Sequence, residues 1–143
     1  MISPDANLLI YAYAPSDLRH AASRTWLELI LSSPETIGIP ILCIHAFLRV
    51  MTHPKSAARI LTLQQAVTAV DSWLALPHVR ILYPGDRHWR LFQHLASTAR
   101  VTGARLTDAA IAAIAQEHGG TIYSHDTDFA RFPGVRWHDP LQP

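Results

Sequence analysis

A single cysteine, Cys43, is the whole thiol content of this 143-residue chain. No intrachain disulfide can form and no cysteine cluster can hold a zinc ion, and the apolar run around Cys43 points to core packing. Long hydrophobic runs are missing too. The longest nearly apolar stretch, Ile37 to Leu48, is broken by Gly38, Pro40 and His45 and falls well short of the ~20 residues of a membrane span. Nor does a basic segment followed by an apolar one open the sequence, as in a secretory signal. A cytoplasmic location away from membranes is expected. Net charge is close to absent, at +1, so the field of the whole protein will not draw it onto nucleic acid and any such binding must be local. Lysine is nearly absent as well: eleven of the twelve basic residues are arginines, and Lys55 is the exception. Arginine suits bidentate phosphate contacts, a bias compatible with RNA binding that does not establish it.

What is present is apolar. Hydrophobic residues make up 49% of the chain and charged residues 16%, the reverse of a disordered composition. At this length one compact domain over residues 1–143 is expected, with no repeat, linker or low-complexity segment to divide it.

Strand and helix patterns alternate along the sequence. Ile2 to Asp5 reads as a short strand and Ala6 to Tyr13 as a buried helix, so Asp5 falls where one gives way to the other. Pro15-Ser16-Asp17 supplies stop and N-cap signals for a second helix ending near Ser32-Ser33-Pro34. Thr36 to Ile39 forms a candidate strand, Pro40 suits a first helical turn, and Ile41 to Met51 continues as an apolar helix. A helix from Thr62 to Leu76 and a strand over Val79 to Tyr83 come next. Asp86 is the expected cap of a further helix rich in Trp89, Leu91, Phe92 and Leu95. Thr107 is the expected N-cap of the Ala-rich helix that Gly119-Gly120 stops, which puts Asp108 in its first turn. Thr121 to Ser124 is a strand delivering His125-Asp126-Thr127-Asp128, and Val135 to Trp137 is a last, edge-type strand. Such alternation implies an α/β fold with a mainly parallel sheet between helical layers, whose active crevice lies at the carboxyl ends of the strands.

Four of the eight aspartates, Asp5, Asp108, Asp126 and Asp128, sit at these predicted strand or helix ends. Clustered carboxylates stay ionised together only if a cation lies among them, and hard oxygen ligands favour Mg²⁺ or Mn²⁺. Carboxylate-bound ions of this kind orient and acidify a water and stabilise the leaving oxygen in phosphodiester hydrolysis. Each aspartate taken singly has a structural alternative: Asp5 as a helix cap, Asp108 as a dipole partner, Asp126 and Asp128 as an Asx turn. Their conjunction favours the functional reading.

Four segments carry a family resemblance. Asp5-Ala6-Asn7-Leu8-Leu9, Phe47 to Pro54, Thr107 to Ala113, and Ser124-His125-Asp126-Thr127-Asp128-Phe129 resemble successive motifs of PIN-domain nucleases. The tail from Ala130 to Leu141 resembles the ending of a branch of VapC-type toxins. The resemblance implies a PIN-like α/β/α sandwich with a five-stranded sheet in the order 3-2-1-4-5, a homodimer, and a VapB-type antitoxin whose tail blocks the acidic pocket. It also implies a metal-dependent endoribonuclease acting on transfer or ribosomal RNA loops. Asp5, Asp108, Asp126 and Asp128 would then form the catalytic metal pocket, with Asn7, Thr107 and Ser124 beside it.

The pattern departs at one place, where Ala46 stands and many PIN nucleases carry a glutamate. His45, the neighbour, points about 100° away on a helix and reads as a structural histidine. With four aspartates and no glutamate, one tightly held ion and a weaker second are expected. Arg49 is expected to contact a phosphate or, as the favoured reading, to pair with one of the aspartates. His125 is a candidate for acid–base work or a phosphate contact, with a plain loop role the favoured one. Trp26, Trp73, Trp89 and Phe92, spaced among aliphatics, are assigned to the core or a dimer interface. Two other functions stay open: a phosphatase or DNA nuclease using the same acids, and an inactive domain that binds RNA or sequesters antitoxin.

Overall fold

A computed structural model describes residues 1–55 and 61–143. Its centre is a five-stranded sheet in the order β3-β2-β1-β4-β5, built from β1 (Ile2–Pro4), β2 (Ile37–Pro40), β3 (Val79–Leu82), β4 (Thr121–Tyr123) and β5 (Trp137–His138). Every pairing is parallel, the arrangement expected when helices connect the strands. The helices are α1 (Ala6–Ala12), α2 (His20–Leu31), α3 (Ile41–Thr52), α4 (Leu63–Leu74), α5 (His88–Ala99) and α6 (Arg105–Glu117), with a 3-10 turn over Thr127–Arg131. Among the described residues no helix is long and apolar enough to cross a membrane.

Chain order explains the layering. The connections β1-α1-α2-β2 and β2-α3-α4-β3 step one way across the sheet, whereas α5 and α6 carry the chain back past β1 to β4. Right-handed crossovers in opposite directions place the two helix groups on opposite faces. The direction therefore reverses between β1 and β4, and a crevice opens beyond their carboxyl ends. The register aligns Pro4 with Tyr123, and the Asp5 amide donates to the Tyr123 carbonyl at 2.9 Å. Asp5 and Ser124 thus leave the sheet side by side.

β1 and β2 are buried at every position, as strands covered on both faces must be. Gly38 in β2 leaves no room for a side chain: a Cβ there would lie 2.8 Å from three side-chain carbons of Leu82, which is itself 1% exposed. Gly38→Ala is expected to cost about 1–3 kcal/mol as overpacking, read as a lower urea midpoint at unchanged slope. A midpoint equal to wild type would show that Leu82 repacks freely. On the neighbouring helices Trp73 packs against Phe47 and Tyr13 at ring separations of 5.1 and 5.7 Å, and its indole N–H donates to the Tyr13 hydroxyl. Trp26 stacks on Tyr123. Trp89 departs from the core half of its expectation, lying 64% exposed and stacked on Phe92.

Three expected caps are replaced. Helix α2 starts at His20 after Arg19, because Asp17 is occupied by the Arg19 amide and guanidinium. Asp86 does not cap α5; Glu117, from the end of α6, accepts from the Gly85 and Arg87 amides at 2.8 and 2.9 Å. A carboxylate distant in sequence thus satisfies the amides assigned to a local one. Thr107 does not cap α6, which begins two residues earlier, at Arg105. Gly103, at φ 60°, turns the chain, and its carbonyl accepts from Leu106, so Thr107 lies inside the first turn. The last strand is also displaced, to Trp137–His138.

Candidate active site

Asp5 is the fixed point of the crevice. Its side chain caps α1, with Oδ1 accepting from the Ala6 amide at 2.7 Å; Oδ2 accepts from the Ser124 hydroxyl at 2.8 Å, and the buried Cys43 thiol donates to Oδ1. Burial raises the pKa of this carboxyl, against the lowering effect of its hydrogen bonds to Ser124 and Ala6. Cys43, read as core packing, is buried as expected, and its thiol additionally faces Asp5.

Ser124 determines the orientation of Asn7. Its one hydroxyl proton goes to Asp5, so the same oxygen accepts from Asn7 Nδ2 at 3.0 Å and from the Asp126 amide at 3.0 Å. The Asn7 amide thereby has its Oδ1 directed away from Ser124, and that oxygen is buried with no partner among the described residues. A buried acceptor without a donor is costly.

Asp5, Asn7, Thr107, Asp108 and Asp126 line one cavity of about 400 Å³, together with Ala46, Arg49 and Val50 from α3. Asp108 comes from the first turn of α6 and Asp126 from the loop after β4, so three separate elements supply the acids. Desolvation first, and then the charges of Asp5, Asp126 and Asp128, push the Asp108 carboxyl up to about 6. Asp126 also accepts from the Asp128 amide at 2.8 Å. It is an Asx-turn residue and a cavity residue at once, since the turn uses only one of its oxygens.

Asp128 stands apart from the other three. It lies outside the cavity wall and pairs with Arg105 at 3.0 Å and Arg131 at 3.7 Å. Its contribution to the cavity is its charge, felt at Asp108. Arg49 lines the cavity but forms none of the described ion pairs, contrary to the favoured expectation of an Asp partner. Arg105 and Arg131 neutralise Asp128 instead. Ala46 faces the cavity and His45 is exposed outside its wall, as the turn between them requires. His125 is also outside the wall, its Nδ1 hydrogen-bonded to Asp139 Oδ2 at 2.9 Å, the carboxylate oxygen accepting. Asp139, 6% exposed, is the residue that sequence reasoning missed. Its only signal was a place in the resembling tail.

The donor set fits a hard divalent cation. Carboxylate oxygens from three elements, an Asp108 carboxyl whose pKa is raised by desolvation and then by the neighbouring aspartates, and an orphaned Asn7 oxygen are what such an ion and its water shell would satisfy. Among the described residues no three His, Cys, Asp or Glu side chains lie close enough together to hold a metal ion by themselves. The acids line an open cavity, so bound waters or a ligand oxygen would complete the coordination, as is usual for Mg²⁺.

Comparison with known proteins agrees with this geometry. The PIN domain family model matches residues 2–135. The chain is 38% identical over 141 residues to ribonuclease VapC43 of Mycobacterium tuberculosis, covering 99% of this chain and 96% of the relative. The solved VapBC2 of Rickettsia felis, bound to a DNA fragment from its promoter, superposes with a TM-score of 0.70 at 18% identity, covering 96% of this chain and 98% of that one. VapC20 of Mycobacterium tuberculosis, a Sarcin-Ricin loop cleaving toxin, has a TM-score of 0.66 at 20% identity over 95% of this chain and 99% of its own.

Proposed function

Because this chain belongs to the PIN-domain family, among the VapC ribonucleases, we propose that it is the endoribonuclease toxin of a VapBC toxin–antitoxin pair. It hydrolyses phosphodiester bonds in structured RNA, at transfer or ribosomal RNA loops, where splayed bases offer the sequence contacts a duplex hides. Mg²⁺ or Mn²⁺ is the cofactor, and Asp5, Asp108, Asp126 and Asp128 are the acidic residues assigned to it. A VapB-type antitoxin, a second copy of the chain and the cytoplasm complete the proposal. The observation that carries it is the convergence of three aspartates from three elements on one cavity that holds more negative charge than the protein neutralises.

A bound divalent ion would supply an acidified water and stabilise the leaving oxygen of an in-line displacement. The chain's own residues do the rest. Ser124 and the Ala6 amide hold Asp5 in one orientation, so no side-chain reorganisation is needed there as charge develops. Asn7 Oδ1, left without a donor by the bond from Asn7 Nδ2 to Ser124, is an acceptor for a hydrogen bond from a water of such an ion's shell. Asp128, already balanced by two arginines, acts through its charge, and the guanidinium of Arg49, which lines the same cavity and is in none of the described ion pairs, contacts the phosphate.

Total bacterial RNA incubated with the purified, antitoxin-free protein should yield discrete fragments with Mg²⁺ or Mn²⁺ and none with EDTA. Cleavage of DNA or of nitrophenyl phosphate under the same conditions would favour the nuclease or phosphatase alternative, and RNA binding without cleavage would favour an inactive domain.

Ala46 sets the metal number. With an alanine methyl where a fifth carboxylate would reach the cavity, one ion binds tightly and a second weakly. Ala46→Glu is expected to raise affinity for the second Mn²⁺ by about tenfold or more, since ligand charge count tunes such sites. Titration calorimetry checks this; two tight sites in the wild type would reject it.

A further inference from the structure

Arg49 and His53 are four residues apart, which places them on one side of the end of α3, and the turn beyond brings Lys55 to the same place. With Val50 they line a second cavity of about 340 Å³. Arg49 and Val50 also line the acidic cavity, so the two adjoin across these residues. Their linings differ in sign: three carboxylates in one, and Arg49, His53 and Lys55 with no acidic side chain among the described lining residues of the other.

The basic groups are available to a ligand. All three residues are exposed, and none takes part in the described ion pairs. His53 Nδ1 accepts from the Lys55 amide at 3.0 Å. In the neutral ring the proton therefore sits on Nε2, which remains free to donate. A guanidinium fork, an ammonium and an imidazole N–H on one small cavity make a set of donors suited to an anion. In a chain of net charge +1 whose only lysine is Lys55, this is a local concentration of positive charge.

Resting on the ribonuclease reading, we propose that the Arg49–His53–Lys55 cavity seats a second phosphate of the RNA strand, next to the one over the acidic cavity. A single phosphate cannot occupy both cavities, whereas a polynucleotide that places one phosphate at the acids carries its neighbour past Arg49. The basic cavity thereby fixes the direction in which the strand crosses the site, and Arg49, shared by both walls, links the two contacts.

The test is binding of a fluorescein-labelled single-stranded oligouridylate, in EDTA so that it stays intact, across a salt series. Each lost phosphate contact lowers the slope of log K against log salt by about 0.7 for a single strand. Lys55→Ala, which touches the basic cavity alone, is expected to show that decrease with roughly tenfold weaker binding, Arg49→Ala, which borders both cavities, at least as large a decrease, and Lys55→Arg to keep the wild-type slope. Both positions are exposed, and an unchanged circular dichroism melt establishes that the variants fold. A wild-type slope in Lys55→Ala, whatever Arg49→Ala shows, or no binding by the wild type, overturns the subsite. Competition by inorganic phosphate or oligoglutamate that is lost in Lys55→Ala, while oligouridylate binding is indifferent to it, would assign the cavity to a free anion or an acidic peptide and equally overturn it. Cleavage of total RNA by the wild type with Mn²⁺ is scored separately: fragments together with an unchanged slope reject the subsite alone, whereas no fragments reject the ribonuclease reading.

Discussion

Asp108→Asn is expected to reduce RNA cleavage by about 10³-fold or more. Asparagine is nearly isosteric with aspartate, so the half-buried position in α6 keeps its packing while the cavity loses one of its three negative charges. Electrostatic stabilisation by a bound ion contributes several kcal/mol to phosphodiester hydrolysis, and each 1.36 kcal/mol is a factor of ten in rate. Rates of RNA cleavage in saturating Mn²⁺ measure the loss, with calorimetry following the ion in parallel. A variant that retained more than about a tenth of the wild-type rate would remove Asp108 from the catalytic set. Asp5→Asn should be as inactive, but it is the less clean probe. Asp5 caps α1 and accepts from Ser124 and Cys43, and an amide there would point a donor at partners that are themselves donors.

The same charge removal is expected to make the metal-free protein more stable. Folding raises the Asp108 carboxyl from 3.8 to about 6, chiefly through desolvation and then through Asp5, Asp126 and Asp128. The folded state therefore holds this proton more tightly than the unfolded chain, and protonation favours folding. This contribution is present below about pH 4 to 6 and is lost as pH rises through about 6; above about pH 7 the ionised group carries its full penalty. The ceiling is about 3 kcal/mol at 1.36 kcal/mol per pH unit, and solvent screening at a half-exposed side chain brings it to roughly 1–2 kcal/mol. Melts of wild type and Asp108→Asn in EDTA should coincide near about pH 4 and separate by several degrees near about pH 7, the variant melting higher. Saturating Mn²⁺ should then raise the wild type above the variant, because binding to the folded state adds stability by mass action. A difference independent of both pH and metal would disprove the account. A protein that is stabilised by losing an active-site charge has retained that charge at a cost to its fold.

Much of the site was legible because its local signals agree with one another. Asp5 follows a buried strand and precedes a helix, Asp108 lies within one turn of a helix start, and Asp126 follows a strand, so each was placed near a crevice by sequence periodicity alone. The resemblance supplied the strand order found in the sheet. Cap assignments failed where a distant group replaced a near one, as Glu117 did for Asp86, and the start of α6 moved because Gly103 adopts a left-handed turn.

By itself the sequence determined the class of fold and put aspartates at the ends of its elements, since alternating hydrophobic periods and residue type are properties of the chain. Tertiary structure decided how those acids are used. Asp126 serves a turn and the cavity together, Asp128 is balanced by arginines on either side of it in sequence, and Ser124 fixes which way the Asn7 amide faces. It also brought Asp139 to His125 and set the basic cavity against the acidic one. Hydrogen bonds and charge pairs depend on distance and direction in space, and the spacing of residues along the chain does not contain them.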